Sequence, residues 1–345
     1  MNNAGRITQA DVARLAGVSQ ATVSTVLNSG ADLVAPDTAA RIKAAMEELG
    51  YRPNRFARAL RTQRTMTIAC VVPDLTNPFY PSLFIGVQET AESAGYDVVA
   101  VNTNGDRARE QGLVLAAAQG VYDGVVGVFF SLGARDFAQM IGVGVPLVRI
   151  EASRKTGGPL AIDDLYVDNC AAARRSVDAL IAAGHRKIAM IAGSGGPETV
   201  RVHGYCSALK TAGLEPSIWE DENFSDEGGR RAARRLLEAH TGVTAIVAAN
   251  DLMAIGVMQV LTAAGLSVPD DVSVMGFDDI LAAGLVTPGL STVSLDQDGL
   301  GRRAAQMLLD RMTGKFDGPA RVEERPFYTR NRGSTGAVRS GGEEV

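Results

Sequence analysis

Residues 7–28 read ITQADVARLAGVSQATVSTVLN, and their spacing decides the first domain. Thr8 and Asp11 form a Thr-x-x-Asp helix start, after which Val12, Leu15 and Ala16 recur at helical spacing until Gly17 stops the run. Ser19 can cap a second helix, in which Val23, Val26 and Leu27 fall at i, i+3 and i+4 and turn inward. Its outer face is then Gln20, Ala21, Ser24, Thr25 and Asn28. A third helix follows Pro36, with Ile42, Met46 and Leu49 on one stripe and Gly50 at its end. Ala35, just before the proline, has no capping oxygen, which costs that helix about 0.5–2 kcal/mol.

Three short helices with a tight glycine-containing turn between the first two predict helix-turn-helix geometry, whose second helix fits the major groove of DNA. Gln, Ser, Thr and Asn can donate to and accept from base edges, and Ala21 can touch a thymine methyl. The same spacing also suits a three-helix interaction module with a polar, solvated face. Residues 51–64, YRPNRFARALRTQR, bear on that choice. Beyond Pro53, Arg55, Arg58 and Arg61 line one side of a short helix and Phe56, Ala59 and Leu60 another. About two turns of isolated helix are marginal in water. DNA would stabilise them, with phosphates for the arginines and a minor-groove base step for a wedge such as Leu60. A solvated interdomain linker is the alternative.

The charge distribution follows the same division. Residues 1–66 hold nine basic and five acidic side chains, a net of +4, and the remaining 25 basic against 34 acidic give −9, within an overall −5. A basic end on an acidic body is a hint of nucleic-acid binding. The composition, 46% apolar and 21% charged over 345 residues, is that of a globular protein of two or three domains. Cys70, Cys170 and Cys206 are odd in number, widely spaced and without a CxxC, which points to reduced thiols and no disulfide framework. No signal-peptide core and no run of about 18 apolar residues is present, so the expected location is the cytoplasm and no membrane partner is expected.

From Thr67 onward, apolar strands alternate with amphipathic helices, several of which end at glycine (Gly95, Gly184, Gly213, Gly265). Strands are predicted at 67–72, 97–101, 124–129, 146–150, 187–191, 245–248 and 272–277. Such alternation means doubly wound parallel sheets, and its restart at GHRKIAMIAGSGG (184–196) predicts two α/β lobes. Ligands bind beyond the carboxyl ends of such strands, which places a site in the cleft between the lobes. Asp74, Phe79, Glu151, Arg201, Phe224, Asn250 and Asp278 stand at those ends. Aromatic faces with Asp, Asn and Arg suit a small-molecule pocket, although Asp and Asn after strands also serve as helix caps. His185, in the helix-to-strand turn AAGHRKI, reads as structural, and no Walker loop, HExxH, GxSxG or complete GxGxxG occurs. Asp278 and Asp279 lack a partner cluster for a metal. An enzyme is therefore not expected, nor any cofactor. The helix predicted over 297–312 carries Leu300, Ala304, Met307, Leu308 and Met312 as core packing.

ITQADVARLAGVSQATVSTVLN, KAAMEELGYRPNRFARAL and IACVVPDLTNPFY closely resemble the start of the LacI/GalR family of bacterial transcription regulators, and the likeness runs from Ile7 to about Arg330. The resemblance implies an all-α helix-turn-helix headpiece (1–50), a hinge helix and linker (51–66) and a two-lobed α/β body (67–330) similar to periplasmic sugar-binding proteins. The expected lobes are about 67–162 plus 296–318 and about 163–292 plus 319–330, with a mobile, Gly- and Ser-rich tail over 331–345. The implied DNA-facing set is Thr8, Ser19, Gln20, Ala21, Thr22, Ser24, Thr25, Asn28, Asn54, Arg55, Arg58 and Leu60. Within it Gln20, Ala21 and Thr25 hold the base-reading positions, Thr22, Ser24 and Asn28 those of phosphate contacts, and Leu60 that of the inserted leucine. Thr25 departs from the longer basic or imidazole side chain of many relatives, and His203 stands where arginine is frequent. Arg201, Asn250 and Asp278 fall where relatives bind effectors, and Phe79, Glu151 and Phe224 at pocket-lining positions. The implied protein is a homodimeric regulator, of repressor type, that binds a pseudo-palindromic operator under control of a sugar-like effector. The alternative is a sugar-binding protein with no DNA function.

Overall fold

The computed structural model describes residues 7–28, 33–52, 59, 62–155 and 158–338, and the chain divides into two units, Met1–Thr65 and Met66–Val345. In the first unit, capping chemistry sets the helix boundaries. The Thr8 hydroxyl accepts from the Asp11 amide while the Thr8 amide donates to Asp11 Oδ2 at 3.0 Å, a reciprocal box that opens α1 (Gln9–Ala16). Gly17, at φ +64°, closes it. Ser19 Oγ accepts from the Thr22 amide at 3.1 Å and opens α2 (Gln20–Asn28). The third helix, α3 (Pro36–Glu48), starts at Ala35 without a side-chain cap.

Val12, Val23 and Ile42, one from each helix, are fully buried and meet Ala13, Ala16, Ala45 and Tyr51 in a small core. Leu15 corrects the sequence reading: it is 45% exposed, because Val12, Ala13 and Ala16 complete the inward stripe of α1 without it. The hinge expectation over 53–62, with Asn54, Arg55, Arg58 and Leu60, lies almost wholly outside the described residues, and all four of those side chains do.

The second unit is built on two parallel sheets. Its elements run β1 (Thr67–Val72), α4 (Phe79–Ser93), β2 (Asp97–Asn102), α5 (Arg107–Ala118), β3 (Gly124–Gly127), α6 (Ala138–Gly142), β4 (Leu147–Glu151) and β5 (Ile162–Val167). After these come α7 (Asn169–Ala182), β6 (Ile188–Ala192), α8 (Glu198–Thr211), β7 (Ser217–Glu220), α9 (Asp226–Glu238), β8 (Ala245–Ala248), α10 (Asp251–Ala263) and β9 (Ser273–Met275). The chain finishes with α11 (Leu281–Leu285), β10 (Thr292–Ser294), α12 (Gln297–Met312), β11 (Val322–Arg325) and β12 (Tyr328–Arg330).

The first sheet has the order β11-β5-β4-β3-β1-β2 and the second β7-β6-β8-β9. Every pairing in both is parallel. A parallel sheet covered on both faces favours apolar residues on both, and β1 supplies them from Ile68 to Val72. Ile68, Cys70 and Val72 pack towards α4 and α12, whereas Ala69 and Val71 pack towards α5 and α6. Burial pushes the Cys70 thiol up to about 12.

Strand order reverses at β1/β3 in the first sheet and at β6/β8 in the second, and each reversal leaves a crevice at the carboxyl ends. The chain passes between the sheets after β5, again between β9 and α12, and again after β11.

Two expectations change here. β5 and β11 pair with each other in the first sheet, Val322 opposite Asp164, whereas the sequence division assigned 163–167 and 319–325 to the second lobe. The acidic pair inside β5 hid that strand. Asp163 is fully buried yet receives Arg311 Nη2 at 2.7 Å and Arg321 Nη2 at 2.6 Å, and Asp164 receives Arg149 Nε at 2.8 Å. The tail also differs over 331–338. Ser334 is fully buried, its hydroxyl donating to the Val274 carbonyl at 2.6 Å, and the Val338 amide donates to the Ala183 carbonyl at 3.1 Å. Residues 339–345 lie outside the described residues.

Candidate functional site

On the headpiece, Gln20 and Ala21 are exposed and Ser24 and Thr25 half-buried. The Thr25 hydroxyl donates back to the Ala21 carbonyl at 3.0 Å, which leaves its oxygen able to accept but not to donate. Thr8 and Ser19 spend their side chains on caps, and Thr22 Oγ1 sits 2.8 Å from Ser19 Oγ. Asn28 ends α2, and its side chain lies outside the described residues.

In the body, a cavity of about 540 Å³ opens where the carboxyl ends of both sheets face each other. All seven side chains predicted for a ligand site line it: Asp74, Phe79, Glu151, Arg201, Phe224, Asn250 and Asp278. Each arrives by the end of a strand or the start of the helix behind it, Asp74 and Phe79 both following β1, so the topology alone gathers residues 204 positions apart, from 74 to 278.

Arg201 organises the floor of the second lobe. Its Nε donates to Asn169 Oδ1 at 2.8 Å, Nη1 donates to the Ala249 carbonyl, and Nη2 reaches Asp278 Oδ1 at 3.3 Å. Its guanidinium also lies 3.8 Å above the centre of the Phe277 ring. Three of its five N–H groups are thereby occupied.

Asp278 is held at φ +116°, its amide donating to the Val293 carbonyl at 2.8 Å and its carbonyl accepting from Gln297 Nε2. Such a backbone is strained for a non-glycine residue and persists only where its surroundings over-determine it. Burial raises the Asp278 carboxyl to about 6, with Arg201 opposing the rise. Behind it, burial and the Asp278 charge raise Asp251 to about 8. Asp251 accepts from Thr292 Oγ1 at 2.5 Å and from the Ile280 amide at 2.9 Å. Gly276 must remain glycine there, since a Cβ would stand 2.1 Å from Asp251 Oδ1.

Asn250 is both a cap and a lining residue. Its Oδ1 accepts from the Met253 amide at 2.8 Å, and its Nδ2 donates to the Phe224 carbonyl at 3.0 Å, tying the aromatic loop to the start of α10. Asp74 makes an Asx turn, accepting from the Thr76 amide at 2.9 Å. Burial raises the Glu151 carboxyl, against Lys155 at 3.4 Å and Arg149 at 3.6 Å.

Several lining residues escaped the sequence reading, among them Tyr80, Phe130, Lys155 and Glu222. Phe130 follows β3 in the first lobe and is 43% exposed, yet its ring reaches Gly196 in the loop after β6 of the second. A Cβ on Gly196, whose φ is +57°, would lie 2.8 Å from Phe130 Cζ. The signal was present as an aromatic pair, Phe129-Phe130, at a strand end. His185 stands apart from the cavity, fixed between Thr244 Oγ1 at 2.9 Å and the Gly336 carbonyl at 3.1 Å. Among the described residues no cluster of three or more His, Cys, Asp or Glu side chains could hold a metal ion.

Residues 8–54 match the family described as bacterial regulatory proteins, lacI family, and residues 177–335 match the periplasmic binding protein-like domain. The HTH-type transcriptional regulator CelR of Thermobifida fusca is 37% identical over 331 residues, covering 90% of this chain and 93% of that protein. The chain belongs to the LacI family. The ribose operon repressor of Escherichia coli K12 is 37% identical over 313 residues, covering 89% of this chain and 93% of its own. The lac repressor dimer bound to operator and the anti-inducer ONPF superposes with a TM-score of 0.84 at 26% identity, covering 96% of this chain and 100% of that one. A CelR–cellobiose complex gives 0.67 at 35% identity, covering 95% and 100%. This LacI-family chain is accordingly a DNA-binding transcriptional regulator, with a helix-turn-helix headpiece and a two-lobed α/β body, and not an enzyme. Among the described residues no helix is long and apolar enough to cross a membrane.

Proposed function

We propose that the protein is a cytoplasmic repressor that binds a pseudo-palindromic operator as a homodimer and changes its DNA affinity when a sugar or sugar derivative enters the cavity between the lobes. The observation that carries this reading is the convergence of Asp74, Phe79, Glu151, Arg201, Phe224, Asn250 and Asp278 on one cavity, in a chain that also carries a helix-turn-helix. Aromatic faces beside fixed hydrogen-bonding groups suit a polyhydroxylated ring, whose faces are apolar and whose rim donates and accepts. CelR with cellobiose and the ribose operon repressor lend support to a sugar.

On the headpiece, Gln20 and Ala21 reach base edges with Thr25 as an acceptor, and Thr22 and Ser24 meet phosphates. One headpiece of this size offers few base contacts, so specificity calls for two copies on two half-sites. The hinge residues Asn54, Arg55, Arg58 and Leu60 complete the DNA-facing set. The coupling required is modest, since about 1–3 kcal/mol changes affinity 5- to 150-fold.

Gel-shift titration against the DNA upstream of the protein's own operon, repeated with a panel of sugars, tests the proposal. Retardation at nanomolar protein that one sugar alters at least fivefold is expected; no retardation even at low salt would remove it.

A further inference from the structure

We infer that the cavity admits an uncharged polyhydroxy ligand and rejects its phosphate ester, because its carboxylates outnumber its cations and each cation is already paired with one of them. This rests on the effector reading of the cavity and narrows it to a charge class. Among the described residues six charged side chains line the cavity, and four are acidic: Asp74, Glu151, Glu222 and Asp278, against Lys155 and Arg201. Both cations are committed, Lys155 Nζ to Glu151 Oε2 at 3.4 Å and Arg201 Nη2 to Asp278 Oδ1 at 3.3 Å. Asp74 and Glu222 are then the charges in excess, and both are exposed to whatever enters.

Backbone amides at helix starts are the other means of holding a phosphate. Helices that start on the cavity include α4 at Phe79, α7 at Asn169, α8 at Glu198 and α10 at Asp251. Three of these starts carry a built-in side-chain acceptor, α7 among them, where the Ala171 amide donates to Asp168 Oδ1 at 2.9 Å. The Phe79 amide donates to Asn77 Oδ1 at 3.0 Å and the Tyr80 amide to the Asn77 carbonyl at 3.1 Å. The Gly195 amide donates to Glu198 Oε2 at 3.1 Å, and Pro197 beside it has no N–H to give. The Met253 amide donates to Asn250 Oδ1 at 2.8 Å. A dianionic ester would therefore displace built-in acceptors and approach an excess of carboxylates at short range.

A neutral sugar meets the same groups differently. Carboxylates and amide oxygens accept from its hydroxyls. The charge that repels phosphate thus orients a polyol.

Thermal-shift and calorimetric titration of the full-length protein should use paired probes: ribose with ribose 5-phosphate, glucose with glucose 6-phosphate, cellobiose, and a wider panel of neutral sugars with their commercial esters. The expected result is stabilisation by a neutral sugar, with its ester binding at least tenfold more weakly at pH 7.5 and the gap narrowing as salt is raised. An ester that binds as tightly as its parent, or stabilisation confined to esters, overturns the charge assignment while leaving the effector reading in place. Stabilisation by neither arm across the panel overturns the effector reading itself. Glu222→Lys, an exposed change that leaves the core untouched, should reduce the discrimination between sugar and ester severalfold; an unchanged ratio would also count against the assignment.

Discussion

Replacing Arg201 by alanine separates its role in holding the fold from its role in meeting a ligand. The substitution deletes bonds to Asn169, the Ala249 carbonyl and Asp278 and strips the guanidinium from Phe277. Its main consequence is that Asp278, 3% exposed, loses its only ion pair among the described residues. Breaking a buried pair from one side costs about 3–5 kcal/mol. The carboxyl can reduce that penalty by taking up a proton. With Arg201 present it titrates at about 6 against 3.8 when unperturbed, and Arg201 is what restrains the rise. Without it the value moves further up, so the native state holds a proton that the unfolded chain releases near pH 4. Native stability then falls as pH rises from about 4 through the raised value, at about 1.36 kcal/mol per pH unit. Arg201→Ala should consequently lose more stability relative to the parent at pH 8 than at pH 5. Urea unfolding of the parent, Arg201→Ala, Asp278→Asn and the double variant measures this. The double variant should recover part of the loss at pH 8, and its pH-dependent excess should vanish. An equal loss at both pH values, or a double variant no better than Arg201→Ala, would refute the reasoning.

Asp251, raised to about 8, follows the same sign: parent stability should fall between about pH 4 and pH 8, and Asp251→Asn should flatten that decline in urea midpoints taken at pH 5, 7 and 9. Gly196→Val forces a side chain against Phe130 at a left-handed backbone position, a strain of about 1–3 kcal/mol, and should weaken sugar binding by calorimetry about tenfold while operator binding without sugar changes less than twofold. Gln20→Ala removes a base-reading amide and should cost about 1–3 kcal/mol of operator discrimination in competition gel shifts, with little change in binding to unrelated DNA.

Local chemistry was legible wherever it was self-contained. The Thr8–Asp11 box, the Ser19 cap and the missing cap at Ala35 each involve residues at most a few positions apart, and each stands in the structure as read. The strand TIACVV was legible because a parallel sheet buries both faces. The candidate cavity was legible for a related reason: parallel topology sends every strand's carboxyl end to one side, so residues just beyond those ends converge without any knowledge of their contacts. Partners far away in sequence were not legible. IDDLYV reads as a polar segment until Arg149, Arg311 and Arg321 neutralise its aspartates, the last two from some 150 positions away. Ser334 and Gly336 look like linker composition until they are seen bonded to Val274 and to His185 and Ser273. Phe130 belongs to the cavity only because a glycine on the opposite lobe gives its ring a place to rest.

The proposed regulation requires the headpiece and the cavity to act as two linked sites in one molecule. Operator affinity, measured by fluorescence anisotropy with and without a saturating sugar, and affinity for that sugar, measured with and without operator, test it directly. The two ratios should agree, at fivefold or more. Operator affinity unmoved by a sugar that demonstrably fills the cavity would contradict it.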